Sequence, residues 1–125
     1  MLLKIYESVP AGLPFTPETS PGTPLDITTH LIDHPASSYL VRVRGDSMEG
    51  VGILAGDTVI LDRGRTPRDG DIIIASLDGA VTLKILEKKK TTLRLLPANP
   101  KYSPIDITGP CEILGVVVGS FRKYN

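Results

Sequence analysis

A serine on a glycine-containing turn and a lysine inside an apolar strand are the residues of this chain best suited to act together in catalysis. Ser47 follows Gly45 and Asp46, and Lys84 is the one charged residue in the alternating run 80–86. A serine hydroxyl is a poor nucleophile unless a neighbouring base takes its proton. A lysine is such a base only as the neutral amine, so burial has to lower its pKa from about 10.4 to about 7, at a cost of about 4 kcal/mol. The apolar neighbours of Lys84 favour this burial.

The residues around Ser47 also suit a nucleophile. Gly45 and Asp46 before it and residues 49–52 after it predict a turn that opens into a short helical segment. Such a turn exposes the hydroxyl and leaves backbone N–H groups free to bind an oxyanion. The alternative is an ordinary capped turn with a strand lysine whose ammonium group stays in water. Spacing alone leaves both readings open, because serine and lysine are common residues.

The two histidines are weaker candidates. His30 and His34 lie four residues apart on a predicted helix, a spacing that can bind a metal ion. No cluster of cysteine or carboxylate residues completes such a site, so histidines on a helix surface are expected. A Ser/His/Asp triad with Ser47 is disfavoured, since nothing ties this helix to the serine turn. Asp46 is interpreted as a turn-forming residue rather than an acid catalyst.

Two further features are expected to have no catalytic role. Residues Lys88-Lys89-Lys90 lie between two predicted strands and indicate a solvated turn, with weak contact to an acidic partner or DNA as the alternative. Cys111 is the single cysteine, which excludes an internal disulfide and fits a reducing compartment. We expect it to be a half-buried structural thiol.

Composition narrows the class of protein. The 125 residues predict one domain, or one domain with a tail, able to bury a modest core. Fourteen basic and fourteen acidic residues rule out a broad basic field for nucleic acid, and the lack of Trp disfavours a base-stacking surface. No apolar run is long enough to span a membrane, and the first residues do not resemble a signal peptide. A soluble cytoplasmic protein is therefore expected.

The chain divides into an N-terminal arm and a β domain. Residues 1–25 carry five prolines, which remove backbone donors and predict an extended arm without its own core. The β domain, residues 26–125, begins with one helix that Asp26 can cap and that ends before Pro35. Asp78-Gly79 predicts a tight hairpin. The predicted strands are residues 39–44, 58–62, 72–77, 80–86, 91–96 and 113–121, so the fold class is mainly β with one short N-terminal helix.

Several segments occur in the order of a known family. The segment 39–48 resembles the serine motif of the LexA/UmuD family of self-cleaving Ser/Lys proteins, and 52–57 resembles its continuation. Its lysine-bearing hairpin is similar to residues 70–75 and 81–84, and its C-terminal part to 95–100, 102–105 and 114–117. The likeness covers about residues 25–121 and implies a LexA/signal-peptidase-like β domain.

The resemblance implies a specific reaction. In such proteins the serine attacks a peptide bond of its own chain and the lysine takes the proton, so Ser47 and Lys84 are the expected catalytic pair. The family cuts an Ala-Gly or Cys-Gly bond upstream of the serine, which corresponds here to Ala11-Gly12. Small residues allow the backbone to enter a tight cleft, and the arm would add to a sheet edge as a strand. The oxyanion donors implied are the backbone N–H groups near Asp46 and Ser47.

The resemblance is to the UmuD branch of the family, because the chain has no room for a DNA-binding domain ahead of the β domain. It implies a homodimer, cleavage stimulated by the RecA–single-stranded-DNA filament, and no metal or organic cofactor. The trimmed product would join a Y-family DNA polymerase, similar to UmuC, in translesion synthesis during the SOS response. No sequence-specific DNA binding and no membrane contact are expected. Alternatives are a non-catalytic dimeric polymerase-binding module, a headless LexA-like repressor fragment and a trans-acting peptidase resembling signal peptidase.

Overall fold

The computed structural model describes residues 1–6 and 22–125, which form two compact units, Met1–Asp33 and His34–Asn125. The predicted boundary at residue 25 falls inside the first unit. The predicted cleavage bond between Ala11 and Gly12 lies outside the described residues. No helix in the described part of the chain is long and apolar enough to cross a membrane.

The first unit contains a two-stranded antiparallel sheet and a short helix. Strand β1 (Leu2–Ile5) pairs with β2 (Thr23–Asp26), and helix α1 (Ile27–Leu31) follows directly. The Asp26 carboxylate accepts hydrogen bonds from the N–H groups of Thr28 and Thr29, as expected of a helix cap. The sequence predicts extended backbone here, and the structure adds that the two strands pair with each other.

The second unit is built on one antiparallel sheet of seven strands, which confirms the mainly β fold class. The sheet order is β3-β4-β9-β5-β6-β7-β8. The strands are β3 (Ser38–Arg42), β4 (Thr58–Asp62), β5 (Ile72–Leu77), β6 (Ala80–Lys88), β7 (Leu93–Leu96), β8 (Ile105–Asp106) and β9 (Cys111–Phe121). Two 3₁₀ helices, Pro35–Ser37 and Glu49–Val51, lie before β3 and after the serine turn.

Two of the predicted strands, β4 and β5, have the predicted bounds, and the others differ at their ends. The hairpin between β5 and β6 turns at Asp78-Gly79, where both residues have positive φ, as a tight two-residue turn requires. Strand β3 ends at Arg42 rather than at residue 44, because the chain turns at Gly45 with φ +77°. Lys88 completes β6, and only the two following lysines lie in the exposed turn.

Two bulges in β9 bend the sheet. The register shifts once opposite Ile60 and Leu61 of β4, and once opposite Ile74 and Ala75 of β5. A bulge bends its strand and increases the local twist. Strand β3, at one edge of the sheet, and β6, the fifth strand in the order, line the same cleft. The serine and lysine segments meet there.

The sheet buries apolar side chains on both faces. Ile74 of β5 packs in a cluster with Met48, Ile53, Val59 and Leu61. Its neighbour Ile73 packs in a second cluster, together with Ala75, Leu86, Leu95 and Val116. Because successive strand residues point to opposite faces, β5 is the continuous apolar strand between the two clusters. Met48, the residue that follows Ser47, belongs to the first cluster, so the core extends to the serine turn.

The prediction that both histidines lie on one helix surface is wrong for His34. Helix α1 ends at Leu31, and the His34 ring Nδ1 lies 2.9 Å from the Asp62 carboxylate. The same carboxylate accepts a hydrogen bond from the Ser37 hydroxyl at 2.7 Å. The Ser37 and His34 contacts, with a bond from the Gly64 N–H, lower the pKa of Asp62 to about 2. His34 thus contacts the carboxylate at the end of β4 instead of lying on the helix.

Candidate active site

The second unit brings the two predicted catalytic side chains into direct contact. The Nζ atom of Lys84 lies 3.1 Å from the Oγ atom of Ser47. Lys84 reaches the site from the middle of β6, and Ser47 is on the turn that follows β3. The distance is within hydrogen-bonding reach, which is the geometric requirement for a base and its nucleophile.

Lys84 is held in surroundings that favour its neutral form. Its side chain is only 9% exposed, and desolvation by burial lowers the pKa of its ammonium group. Besides Ser47, its Nζ donates to the Thr82 hydroxyl at 2.8 Å and to the Leu83 carbonyl at 3.1 Å. No carboxylate pairs with it among residues 1–6 and 22–125. Once Lys84 loses a proton, two N–H donors remain for these two acceptors, and the lone pair can accept the proton of the Ser47 hydroxyl.

The serine turn is fixed by a segment that follows β7. The Ala98 N–H donates to the Ser47 carbonyl at 2.7 Å, and the Gly50 N–H donates to the Ala98 carbonyl at 2.6 Å. The Asn99 side chain donates to the Asp46 carbonyl at 2.8 Å. The predicted short helical piece is present as the 3₁₀ helix Glu49–Val51. Met48, 1% exposed, anchors the turn in the core.

The Asp46 carboxylate also fixes this turn. It accepts hydrogen bonds from the Lys101 ammonium group at 2.8 Å and from the Tyr102 hydroxyl. These two bonds lower the pKa of Asp46 and raise those of Lys101 and Tyr102. The sequence predicted Asp46 only as a turn residue and missed these two partners, because they lie 55 and 56 residues away in the chain.

An ion pair between Arg122 and the buried Asp57 fixes the end of the segment that runs from Ser47 to β4. The Arg122 Nε atom donates to one Asp57 oxygen at 2.6 Å, and its terminal nitrogen donates to the other at 2.8 Å. Arg122 also donates to the Gly52 carbonyl at 2.9 Å, and the Leu54 N–H donates to Asp57 at 2.8 Å. Arg122, then the Leu54 N–H, lower the pKa of Asp57 to about 2. Sequence reasoning missed Arg122, which follows the last strand.

A cleft of about 370 Å³ opens over the pair. One side is formed by Val41, Arg42, Val43 and Arg44, the other by Val81, Thr82 and Leu83, with Tyr102 at the rim. Half-buried valines on the floor can accept small apolar side chains. An elongated cleft beside an edge strand suits an extended peptide.

The structure also bears on the other candidate groups. The Ser47 N–H donates to no acceptor among the described residues, so it is available to bind an oxyanion. In the described ranges no three His, Cys, Asp or Glu side chains form a group that could hold a metal ion. Cys111 is half-buried in β9, as predicted, and burial raises the pKa of its thiol.

Comparison with known proteins agrees with this architecture. Residues 4–118 match the family described as Peptidase S24-like. The chain is 38% identical over 117 residues to Protein SamA of Salmonella typhimurium, covering 94% of this chain and 82% of SamA. It is 36% identical to a LexA repressor of Glaesserella parasuis, over 90% of this chain and 59% of that protein. LexA repressor 2 of Pseudomonas putida is 39% identical, over 97% of this chain and 60% of that protein. The chain thus spans about three fifths of these two repressors.

Proposed function

The chain belongs to the Peptidase S24-like family, the LexA/UmuD family, and on that premise we propose that it is a self-cleaving serine peptidase. Ser47 is the nucleophile and Lys84 the general base. The observation that carries the proposal is the 3.1 Å contact between Ser47 Oγ and a lysine whose pKa is lowered by burial. A solvated lysine paired with a carboxylate would not support this chemistry.

The first half of the reaction forms an ester. The neutral Lys84 amine accepts the proton of the Ser47 hydroxyl while Oγ bonds to the carbonyl carbon of the scissile peptide. The negative charge that develops on the carbonyl oxygen is stabilised by the Ser47 N–H. The intermediate collapses, the C–N bond breaks, and the Lys84 ammonium group gives the proton to the leaving amine.

The second half restores the enzyme. A water molecule enters where the amine has left, and Lys84 again accepts a proton as the water attacks the ester carbon. The bond between the acyl carbon and Ser47 Oγ breaks, and the proton returns to Oγ. The two products are a new carboxylate and a new amine, so no cofactor is needed for this chemistry.

The bond that we propose is cut is Ala11-Gly12, by resemblance to the family. The small side chains on both sides of it suit the narrow cleft beside Arg42 and Val43. Because the substrate belongs to the same chain, attack within one molecule is effectively unimolecular and gains from proximity. The same bond in the arm of the partner chain of a homodimer is the alternative substrate.

The biological role that we propose follows the UmuD branch of the family. Contact with a RecA–single-stranded-DNA filament stimulates the cut, and the trimmed homodimer joins a Y-family DNA polymerase in translesion synthesis. A second candidate role is that of the peptidase part of a LexA-like repressor, favoured by the match to about three fifths of the two LexA repressors. A pull-down experiment with the trimmed chain distinguishes the two roles, because binding of a Y-family polymerase is expected only in the first.

Self-cleavage of the purified chain tests the chemistry. Incubation at pH 9–10, which increases the fraction of neutral lysine, should release a fragment that begins at Gly12, identified by mass spectrometry. Ser47→Ala and Lys84→Ala should each abolish it, and so should Lys84→Arg, because a guanidinium group stays charged. Lys89→Ala, in the exposed turn, should cleave like the unsubstituted chain. Cleavage that survives in the Ser47 or Lys84 variants would refute the assignment.

A further inference from the structure

The segment after β7 holds the serine turn by two backbone carbonyls. Ala98 holds the Ser47 carbonyl and Asn99 holds the Asp46 carbonyl, through bonds of 2.7 and 2.8 Å. Asp46 and Ser47 are among the described residues that line the cleft, whereas Ala98 and Asn99 are not. Two successive carbonyls of the turn therefore point toward residues that do not line the cleft.

Asn99 is itself held rigidly. Its side chain is 9% exposed, and its Oδ1 accepts the Lys101 N–H at 2.9 Å. That bond requires the oxygen of the amide to face Lys101, so the nitrogen faces Asp46 and donates to the Asp46 carbonyl. Both polar atoms of this buried side chain are therefore used, one as acceptor and one as donor.

The direction of a carbonyl determines the direction of the next N–H. In a trans peptide the C=O and N–H of one unit point in opposite directions, and the described part of the chain has no cis peptide. With the Asp46 carbonyl turned toward Asn99, the Ser47 N–H points away from Asn99, and Ser47 itself lines the cleft. This N–H is the one that donates to no acceptor among the described residues.

We propose that Asn99 is a positioning residue that keeps the Ser47 N–H directed at the oxyanion. The inference rests on the proposed peptidase function and assigns to Asn99 a role in orienting the 46–47 peptide. Without its amide donor the Asp46 carbonyl keeps only the longer bond from the Glu49 N–H, at 3.3 Å, so this peptide can flip, which places the carbonyl, instead of an N–H donor, next to the developing negative charge. Loss of one oxyanion donor costs about 10²–10³ in rate, so a partly flipped peptide should cost about 10- to 100-fold.

Two variants and one control test this role in the full chain. Asn99→Ala removes the donor without adding charge, and Asn99→Asp keeps the side-chain volume and the acceptor for Lys101. Asn125→Ala is the control, because it makes the same change of residue type at an exposed position that has no contact with the serine turn. All three are measured at a temperature at which circular dichroism shows them folded.

The first measurement is the rate constant of self-cleavage across pH. We expect the maximal rate to fall about 10- to 100-fold for both Asn99 variants and to change less than about threefold for Asn125→Ala. In Asn99→Ala the pH midpoint, which reports Lys84, should stay where it is, because the Lys84 partners do not include Asn99. An Asn99→Ala maximal rate within threefold of the unsubstituted chain, or a displaced midpoint, would overturn the proposal.

The second measurement does not depend on activity. Crystal structures of the two Asn99 variants should show the Asp46 carbonyl rotated toward the cleft in at least part of the molecules. A carbonyl that keeps its direction in both variants would refute the positioning role, even if no form of the chain cleaves itself. Absence of cleavage in the unsubstituted chain would instead count against the peptidase function, so the two failures are distinguishable.

Discussion

Lys84 Nζ lies 3.1 Å from Ser47 Oγ, although the two residues are 37 positions apart in the chain. The contact joins the middle of β6 to the turn that follows β3, two strands that are not neighbours in the sheet. The Lys84 amine has two further acceptors and the Ser47 backbone is held by Ala98, so the pair is held in place before any substrate arrives. Such preorganisation is what a base and nucleophile need to act together.

The pH dependence of cleavage should report Lys84. Only the neutral amine accepts the serine proton, so the rate should rise with pH and level off once the amine is neutral. Burial lowers the pKa of Lys84, so the midpoint of the rise should lie below about pH 10.4, the value of a lysine in water. Rate constants measured between pH 6 and 11 check this, and a rate that does not change over this range would contradict it.

Thr82 should contribute to the rate by orienting the amine. Its hydroxyl accepts one Lys84 hydrogen at 2.8 Å, which directs the lone pair toward Ser47. We expect Thr82→Val, which has nearly the same shape, to slow self-cleavage about tenfold. The effect is smaller than the loss of the whole base, which would lower the rate by about 10²–10³ or more. Thr82→Ser keeps the hydroxyl and should restore most of the rate. Equal rates in the valine and serine variants would show that the hydroxyl has no role.

Gly50 should tolerate no side chain. A Cβ atom there would lie 2.4 Å from the Ala98 carbonyl oxygen, which is backbone and itself accepts the Gly50 N–H. Gly50→Ala should therefore displace the serine turn, destabilise the protein by about 1–3 kcal/mol and slow cleavage. Gly109→Ala is the matched control, because a Cβ atom there meets nothing within 4 Å. Urea denaturation of the two variants measures the difference, and similar midpoints would contradict the prediction.

Arg122 should stabilise the second unit through Asp57. Arg122→Met leaves the Asp57 carboxylate, which is 2% exposed, without its bidentate partner. An unpaired buried charge is strongly unfavourable, so thermal unfolding should shift down by about 5–10 °C or more. Lys123→Met, at the exposed neighbouring position, should leave the midpoint unchanged. Differential scanning calorimetry of both variants distinguishes loss of the ion pair from loss of a surface charge.

Asp62 should make stability sensitive to acid. Its pKa in the folded protein is about 2, below the value of about 3.9 for an unfolded chain. The stability it contributes is therefore present above about pH 4 and is lost as the pH falls toward 2, because the unfolded chain binds the proton first. Asp62→Asn should flatten this fall in the free energy of unfolding. Asp106→Asn, whose carboxylate is 75% exposed, serves as control and should keep the full slope.

Local signals explain what could be predicted about the fold. The Asp78-Gly79 turn and the bounds of β4 and β5 follow from turn chemistry and apolar alternation within a few residues. The cap of α1 by Asp26 is equally local. The predicted end of β3 was wrong because the chain turns at a glycine. The predicted position of His34 was wrong because a contact with the distant Asp62 decides it.

The sequence alone determined the family, the mainly β fold class and the identity of the two candidate catalytic residues, because these depend on residue types in a fixed order. Tertiary structure alone decided that Ser47 and Lys84 touch, since the turn after β3 and the middle of β6 line one cleft although three strands separate β3 from β6 in the sheet. It also decided the partners of the serine turn, Ala98, Asn99 and Arg122. Hydrogen bonds between segments so far apart leave no periodic pattern in the chain, so no local signal could have shown them.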